Sequence, residues 1–173
     1  LERLMGMVHD FYLRHFNLWC ETDVDGITIG DDWGAQTSLL ISPAMWRRMF
    51  KPLYTEYCDI ARRAGKRIFF HSDGMVREII PDLIAIGVSA LNCQVCQMNT
   101  EELGESFRGR IAFWGEIDQQ WALPFGTPDD VRKVVRRVRA ALGSDRGGLI
   151  AQLHWGIGDP YDNIAAAFEE FDA

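Results

Sequence analysis

The sequence predicts an α/β fold in which five short parallel strands alternate with helices in one domain. Three observations support this prediction. Five apolar runs begin about 20 to 40 residues apart, which leaves room for a crossover helix between parallel strands. The runs are apolar throughout rather than alternating, as in a sheet covered on both faces. No linker or low-complexity tract interrupts the 173 residues, so residues 1–173 are predicted to form a single domain.

The first β/α unit is preceded by a helix. Apolar residues recur at spacings of three and four over residues 1–19, which predicts a helix with one apolar face. Residues 26–30 form the first predicted strand. Ser42 and the proline after it are typical of a helix start, and we expect this helix to continue to about Ala64, because Gly65 favours termination.

The next two strands follow in the same order. The second is predicted at residues 67–70, and a helix over residues 76–86 follows it. Pro81 lies inside that helix and is expected to divide it, because proline cannot donate a backbone hydrogen bond. The third strand is predicted at residues 87–92.

The last two units complete the predicted sheet. A short helix begins at Thr100, and the fourth strand is predicted at residues 110–114. Thr127 and the residues after it are typical of a helix cap, and the helix they begin is expected to end near residue 142. The fifth strand is predicted at residues 148–153, and Pro160 begins the final helix.

The composition excludes several classes of function. The chain has 18 basic and 25 acidic residues, a net charge of −7, which argues against a nucleic-acid partner bound through its phosphates. No apolar run is long enough to span a membrane. Four scattered cysteines do not form a disulfide framework, so a reduced, cytoplasmic setting is expected. The chain lacks an initiator methionine, which fits a truncated protein.

Polar side chains follow every predicted strand. In parallel α/β folds the carboxyl ends of the strands face one common mouth, where ligands bind. We therefore expect one shared site, formed by Asp31, Asp32, His71, Asp73, Asn92, Gln94, Glu116, Asp118, Gln119, Gln120, Gln152 and His154.

His71 and Asp73 give the most specific local signal in this set. In an extended segment, residues two apart point the same way, and an imidazole beside a carboxylate suits a divalent metal, with zinc as the first choice. A third ligand is needed, for which His154 is the candidate and Glu116 the reserve. The alternative for Asp73 is a helix cap for the helix that begins near Val76.

The remaining candidates have roles in catalysis or substrate binding. The adjacent carboxylates Asp31 and Asp32 could hold metal, bind substrate or cap the loop, and their mutual repulsion favours a functional partner. Trp33 and Trp155 are expected to line a cavity for a large planar ligand, with core packing as the alternative. The Cys93-x-x-Cys96 spacing is more typical of two buried thiols than of a metal or redox pair.

Four segments in order resemble the uroporphyrinogen decarboxylase family. They are residues 69–74 (FFHSDG), 115–118 (GEID), 123–132 (LPFGTPDDVR) and 154–164 (HWGIGDPYDNI). The resemblance implies a (β/α)8 TIM barrel, of which this chain would form the last five β/α units. It also implies an enzyme, active as part of a complete barrel.

The family includes two chemistries. Its decarboxylase branch removes the acetate carboxyls of uroporphyrinogen III without a cofactor, in tetrapyrrole biosynthesis. Its corrinoid methyltransferase branch uses zinc to activate a thiol, and it has His-x-Cys-Gly where this chain has His71-x-Asp73-Gly. The resemblance therefore assigns His71 to the metal, with Asp73 and His154 in place of two thiolates.

The charge of the predicted mouth favours the methyltransferase branch. Its carboxylates would repel a poly-acidic porphyrinogen. We therefore expect metal-assisted methyl transfer with a corrinoid or small methylated substrate, and the alternatives are decarboxylation and a non-catalytic fragment. The expected catalytic residues are Glu116, Asp31 and Asp32, and the expected substrate contacts are Trp33, Asn92, Gln94, Asp118, Gln120 and Trp155. Expected partners are a corrinoid protein, a second copy of the chain, or an N-terminal half of the barrel.

Overall fold

The computed structural model describes residues 1–173 as an α/β fold around a five-stranded parallel sheet. Neighbouring strands in the sheet follow the order of the chain, so each connection crosses over to the adjacent position. The strands are β1 (Gly26–Gly30), β2 (Arg67–His71), β3 (Ala90–Cys93), β4 (Ala112–Gly115) and β5 (Leu149–Ala151). This architecture confirms the predicted fold class and is consistent with part of a TIM-like barrel.

Helices lie between the strands and at both ends of the chain. They are α1 (Glu2–Cys20), α2 (Pro43–Met49), α3 (Lys51–Arg63), α4 (Ile80–Ile86), α5 (Thr100–Phe107), α6 (Ala122–Phe125), α7 (Pro128–Leu142) and α8 (Tyr161–Asp172). Two 3-10 turns, Arg77–Ile79 and Val95–Met98, precede α4 and α5. None of the helices has the length and apolar character that crossing a bilayer requires.

The structure corrects two of the predicted elements. The helix predicted over residues 42–64 is two helices that meet at Phe50, because Pro52 lacks the N–H that would continue the hydrogen-bond ladder. The strand predicted from residue 87 begins at Ala90, because Gly87 has φ 100° and ends α4 in the left-handed conformation. The short helix α6 was not predicted.

The core lies between the sheet and the helices, and its burial falls towards the two sheet edges. Phe70, Leu91 and Phe113 are fully buried on the helix-facing side of the sheet. On the opposite face, the rings of Phe69 and Trp114 meet edge to face with centroids 6.1 Å apart. Every residue of β3 is buried, whereas β1 and β5 are largely accessible. The continuously apolar pattern therefore predicts the central strand correctly and the edges poorly.

A smaller cluster fixes the end of the chain beside the loop after β4. It contains Ile117, Leu123, Val131, Val135, Ala166 and Ala167. Asn163 of α8 is buried, and its Nδ2 donates to the carbonyls of Leu123 (2.8 Å) and Gly126 (2.9 Å). Thr127 caps α7 as predicted, because its hydroxyl accepts from the N–H of Asp130. These contacts fix α6 and the start of α7 against α8.

Both edges of the sheet and much of α1 have no partner in this chain. The strand β1 pairs with β2 alone, and β5 pairs with β4 alone. A cavity of about 480 Å³ lies between α1, β1 and α3. Eight large apolar side chains of the α1 segment are exposed: Leu1, Leu4, Met7, Val8, Phe11, Tyr12, Leu18 and Trp19.

Candidate functional site

The loops that follow β1 and β2 are joined by backbone hydrogen bonds at the mouth of the sheet. The N–H of Gly34 donates to the carbonyl of Asp73 (3.1 Å), and the N–H of Met75 donates to the carbonyl of Ala35 (2.8 Å). The N–H of Asp73 also donates to Oδ1 of Asp32 (3.0 Å). These bonds continue the pairing of β1 with β2 beyond the strands and bring the two loops into register.

Two glycines allow this close contact between the loops. A Cβ on Gly34 would lie 2.4 Å from the backbone nitrogen of Met75. A Cβ on Gly74 would lie 2.4 Å from the carbonyl carbon of Gly34, and Gly74 also has φ +75°. Backbone cannot give way as a flexible side chain can, so any larger residue would push the loops apart.

The joined loops bring together one imidazole and two carboxylates. The potential ligand atoms of Asp32, His71 and Asp73 all lie within 4.8 Å of one another. Nε2 of His71 is 3.4 Å from Oδ1 of Asp32 and 4.0 Å from Oδ1 of Asp73. All three side chains are accessible from the mouth, so a cation held there could also reach a substrate.

The composition of this group differs in part from the predicted ligand set. His71 and Asp73 are both in it, and Asp73 makes no capping hydrogen bond to the turn that begins after Val76. The third member is Asp32, whereas the sequence predicted His154. His154 lies on the exposed loop after β5 and is outside the group, as is the reserve ligand Glu116.

Asn92 connects this group to the rest of the mouth. Its Oδ1 is 2.6 Å from Nδ1 of His71, and its Nδ2 donates to the carbonyl of Trp114 and to Oε1 of Gln152, both at 2.7 Å. Only 6 % of Asn92 is exposed. The sequence predicted a substrate contact at Asn92, whereas the structure engages the amide with protein partners.

Glu116 is the most buried carboxylate at the mouth. It is 4 % exposed, and its oxygens accept from Nε2 of Gln119 (2.7 Å) and Nε2 of Gln152 (3.4 Å). Burial raises the pKa of the Glu116 carboxyl, and the negative charge of Asp73 raises it further, against smaller opposing effects of His154 and His71. A buried carboxyl with a raised pKa at the mouth of the sheet is a candidate to donate or accept a proton in a reaction.

Asp31 and Asp32 do not act as a pair. Tyr54 donates from Oη to Oδ2 of Asp31 (2.5 Å), and Nε1 of Trp33 donates to the same Tyr54 hydroxyl (3.0 Å). Asp31 therefore faces the cavity beneath α1, whereas Asp32 faces His71, as expected for successive residues of an extended segment. Burial, together with the charge and hydrogen bond of Asp31, raises the pKa of Tyr54.

Three further residues predicted to contact substrate have structural partners. Oε1 of Gln94 accepts from the N–H of Gly74 (3.1 Å), so it holds the joined loops. Oδ1 of Asp118 accepts two backbone N–H bonds in its own turn. Gln120 exchanges a pair of amide hydrogen bonds with Gln36. The Gln94 bond joins the loops after β2 and β3, and the Gln120 bonds join the loops after β1 and β4.

The predicted aromatic contacts lie on different parts of the surface. Trp33 is partly buried, with its ring centroid 4.4 Å from that of Phe50, and it lines the cavity beneath α1. Trp155 is 51 % exposed and meets Phe168 edge to face. Cys93 is buried, and burial raises the pKa of its thiol, as expected for a structural cysteine.

Two further side chains order the site: Gln152, which was expected at the mouth without a specific role, and Ser72, which was not expected there. Oγ of Ser72 accepts from the N–H of Trp33 (2.9 Å), and Ser72 is fully buried between the two loops. Gln152 bridges Asn92 and Glu116. Its position directly after a strand was the available signal, whereas nothing local distinguishes Ser72 from a loop serine.

Comparison with known proteins identifies the family. A solved methyltransferase from Methanosarcina mazei superposes with a TM-score of 0.69 at 19 % sequence identity, over 95 % of this chain and 46 % of that one. The chain thus spans less than half the length of that relative, and the likeness shows the fold. No curated protein sequence matches significantly. The family model for uroporphyrinogen decarboxylase matches residues 1–172, and the chain therefore belongs to the uroporphyrinogen decarboxylase family.

Proposed function

We propose that this chain carries the metal-binding part of a methyltransferase barrel, which transfers a methyl group with the help of a divalent metal. Zinc is the first choice of metal, and a corrinoid or a small methylated compound is the proposed substrate. The observation that carries the proposal is the convergence of Asp32, His71 and Asp73, whose ligand atoms lie within 4.8 Å of one another. The solved relative from Methanosarcina mazei is itself a methyltransferase.

The donor set fits a divalent cation. Two carboxylates and one neutral imidazole carry a net charge of −2, which a divalent ion would balance. Without a cation, the two carboxylates would repel each other across this group. Imidazole and carboxylate together suit zinc, and the absence of thiolate from the group also suits harder metals. Three protein ligands at an accessible site leave a coordination position for substrate.

The residues of the chain would divide the work as follows. When bound, the metal would lower the pKa of a substrate thiol or hydroxyl, so that the group reacts as an anion at neutral pH. Asp32, His71 and Asp73 would hold it, and Glu116 would take up or release the substrate proton. Gln94 holds the loop that carries Asp73 through the N–H of Gly74.

Replacing the buried carboxyl of Glu116 should change stability and activity in opposite directions. Burial raises the folded-state pKa of Glu116, so folding favours its protonated form. The stability of the wild type relative to Glu116→Gln should therefore fall as the pH rises. The fall begins near the ordinary glutamate pKa of about 4.3 and continues through the raised pKa that Glu116 has in the folded chain. We expect the variant to be the more stable protein at about pH 8, with the difference shrinking towards about pH 4, while turnover falls by roughly 10²–10⁴.

Thermal unfolding at both pH values measures this effect. Glu105→Gln is the matched control, because it makes the same substitution at an exposed carboxylate on α5. A stability difference for Glu116→Gln that stays constant with pH would show that the Glu116 carboxyl is not perturbed by its burial.

Decarboxylation of a porphyrinogen is the second candidate function. The match to a family model described as uroporphyrinogen decarboxylase favours it. In that reaction no metal is needed, and His154 with Asp32 would contact pyrrole N–H groups, whereas Asp31 faces the cavity beneath α1. The acidic residues at the mouth oppose it, because they would repel the substrate carboxylates unless basic residues elsewhere in the barrel balance them.

An assay of the complete barrel separates the two functions. Metal-assisted methyl transfer predicts turnover with a methylated donor and a thiol acceptor, loss of that turnover with a chelator, and recovery on adding zinc. Conversion of uroporphyrinogen to coproporphyrinogen that is insensitive to the chelator would instead establish the decarboxylase and exclude the proposal.

We also propose that the open sheet edges and the exposed face of α1 are covered by the remaining strands of an eight-stranded barrel. Unpaired edge strands readily pair with other chains, and this chain covers 46 % of its solved relative. Without that other half, the edges and α1 should pair with a second copy. Light scattering should therefore find a dimer or larger species, and a stable monomer of 19.7 kDa would contradict this expectation.

A further inference from the structure

A continuous chain of side-chain amides runs from the metal group to the buried carboxyl of Glu116. Nδ1 of His71 contacts Oδ1 of Asn92 at 2.6 Å, and Nδ2 of Asn92 donates to Oε1 of Gln152 at 2.7 Å. Nε2 of Gln152 then contacts Oε1 of Glu116 at 3.4 Å. The chain crosses the carboxyl ends of β2, β3, β5 and β4, so it connects four strand ends through side chains.

The backbone fixes the direction of every hydrogen bond in this chain. The carbonyl of Trp114 can only accept, so the group of Asn92 that lies 2.7 Å from it must be the Nδ2 amine. The Oδ1 of Asn92 therefore faces His71, and because this oxygen can only accept, Nδ1 of His71 must carry the proton. In the neutral ring the lone pair then belongs to Nε2, which faces Asp32 and Asp73.

We propose that Asn92 is a positioning residue, which holds His71 in the tautomer that presents Nε2 to a metal. The proposal rests on the proposed metal site. Which nitrogen of an imidazole binds a metal is set by the hydrogen bond that the other nitrogen makes. Asn92 suits this role because it is 6 % exposed in the most buried strand, where it cannot rotate away from the Trp114 carbonyl without losing both donor bonds.

Gln152 has a smaller part in setting the tautomer. It accepts one of the two Nδ2 bonds of Asn92, but the Trp114 carbonyl accepts the other and would keep the Asn92 amide in place without it. Its own Nε2 is directed to Glu116. The two amides therefore have different roles. Asn92 fixes the tautomer of His71, and Gln152 joins Asn92 to Glu116 by hydrogen bonds.

Nitrogen-15 NMR of the His71 ring tests the proposal in the metal-free chain, at a pH where the ring has become neutral. We expect the proton on Nδ1 and a bare Nε2, and a proton on Nε2 with a bare Nδ1 would overturn the proposal. Zinc titration gives the second readout. Asn92→Leu should weaken zinc binding about 10–100-fold, as loss of a hydrogen-bond partner of a metal-bound residue does in other proteins. Either ring nitrogen of His71 should then be able to carry the proton.

Two variants separate positioning from simple loss of packing. Asn92→Asp keeps an acceptor for Nδ1 of His71 but gives up both Nδ2 donor bonds, to the Trp114 carbonyl and to Gln152. It should therefore be less stable than wild type, yet retain the proton on Nδ1 of His71 and bind zinc more tightly than Asn92→Leu. Asn163→Leu removes another buried asparagine, which bonds to Leu123 and Gly126 away from the site, and should leave both readouts unchanged. If Asn92→Leu does not fold, the His71 tautomers of the wild type and of Asn92→Asp still decide, because a proton on Nε2 in either protein would overturn the proposal.

The design also separates this proposal from the proposed function. A wild-type chain that binds no zinc, yet has the proton on Nδ1 of His71, would contradict the proposed metal site. It would still support the role of Asn92 in fixing the His71 tautomer. Zinc binding that is unchanged in a folded Asn92→Leu variant would overturn the positioning role and leave the metal site standing.

Discussion

Replacing His71 with alanine should abolish metal binding at the mouth of the sheet. His71 supplies the only nitrogen of the group formed with Asp32 and Asp73, and two partly exposed carboxylates alone hold a divalent ion weakly. We expect zinc affinity to fall by more than about 100-fold, because even loss of an outer partner of a metal-bound histidine is worth roughly 10–100-fold. Turnover of the complete barrel should fall with it.

The fold should survive this substitution, which keeps the result interpretable. His71 ends β2 with its side chain 35 % exposed, and its removal leaves Oδ1 of Asn92 without its partner, a cost of about 1–3 kcal/mol. His15→Ala is the control, since His15 is a partly buried histidine of α1 that bonds to the carbonyl of Phe11 within that helix. Equal zinc affinity in His71→Ala and His15→Ala would remove His71 from the site.

A single methyl group on Gly34 or Gly74 should also disrupt the site. Each added Cβ would lie 2.4 Å from backbone of the other loop, and Gly74 has the further strain of φ +75°. We expect Gly74→Ala to destabilise the chain by about 2–5 kcal/mol, the sum of the left-handed conformation and the overpacking. Separation of the loops would move Asp32 and Asp73 away from His71, so zinc affinity should fall in both variants.

Gly109→Ala is a closely matched control for this experiment. Gly109 has φ +77°, almost the same conformation as Gly74, but a Cβ there would meet no atom within 4 Å. Gly109→Ala should therefore destabilise the chain only through the left-handed backbone conformation, by about 1–2 kcal/mol, and should leave zinc affinity unchanged. Denaturant unfolding and zinc titration measure both effects. If Gly34→Ala binds zinc as tightly as Gly109→Ala, close contact between the loops is not what assembles the group.

Much of the fold could be predicted because it depends on local patterns. Each of the five apolar runs became a strand, and the cap at Thr127 formed as its hydroxyl and spacing indicate. The errors lie where two local signals compete. The signals at Ser42 and Gly65 set the outer ends of one long helical region correctly, but Pro52 divides it at Phe50.

The group of potential metal ligands lies where the sequence predicted it, but its members differ in part from the predicted ones. Placing polar residues at strand ends was enough to bring His71 and Asp73 to one mouth. That Asp32 joins them, and His154 does not, depends on backbone bonds between two loops and on the space left by Gly34. Such contacts join residues about forty positions apart, and no local pattern in the sequence encodes them.

The same limit explains the roles of the amides. An amide after a strand is equally suited to binding a substrate and to joining two strand ends. In the structure Asn92 bonds to the Trp114 carbonyl and Gln94 to the N–H of Gly74, while their predicted contacts with substrate stay predictions. Both partners are backbone groups: the register of β3 with β4 places the Trp114 carbonyl, and the left-handed turn at Gly74 places its N–H.

X-ray absorption of the zinc-loaded chain tests the central claim most directly. A site built from Asp32, His71 and Asp73 predicts one zinc per chain, surrounded only by nitrogen and oxygen at about 2.0–2.2 Å. The same measurement on His71→Ala should lose the imidazole signal. Sulfur at about 2.3 Å would place the metal on Cys93 and Cys96 instead, and either that result or a chain that binds no zinc would contradict the proposed site.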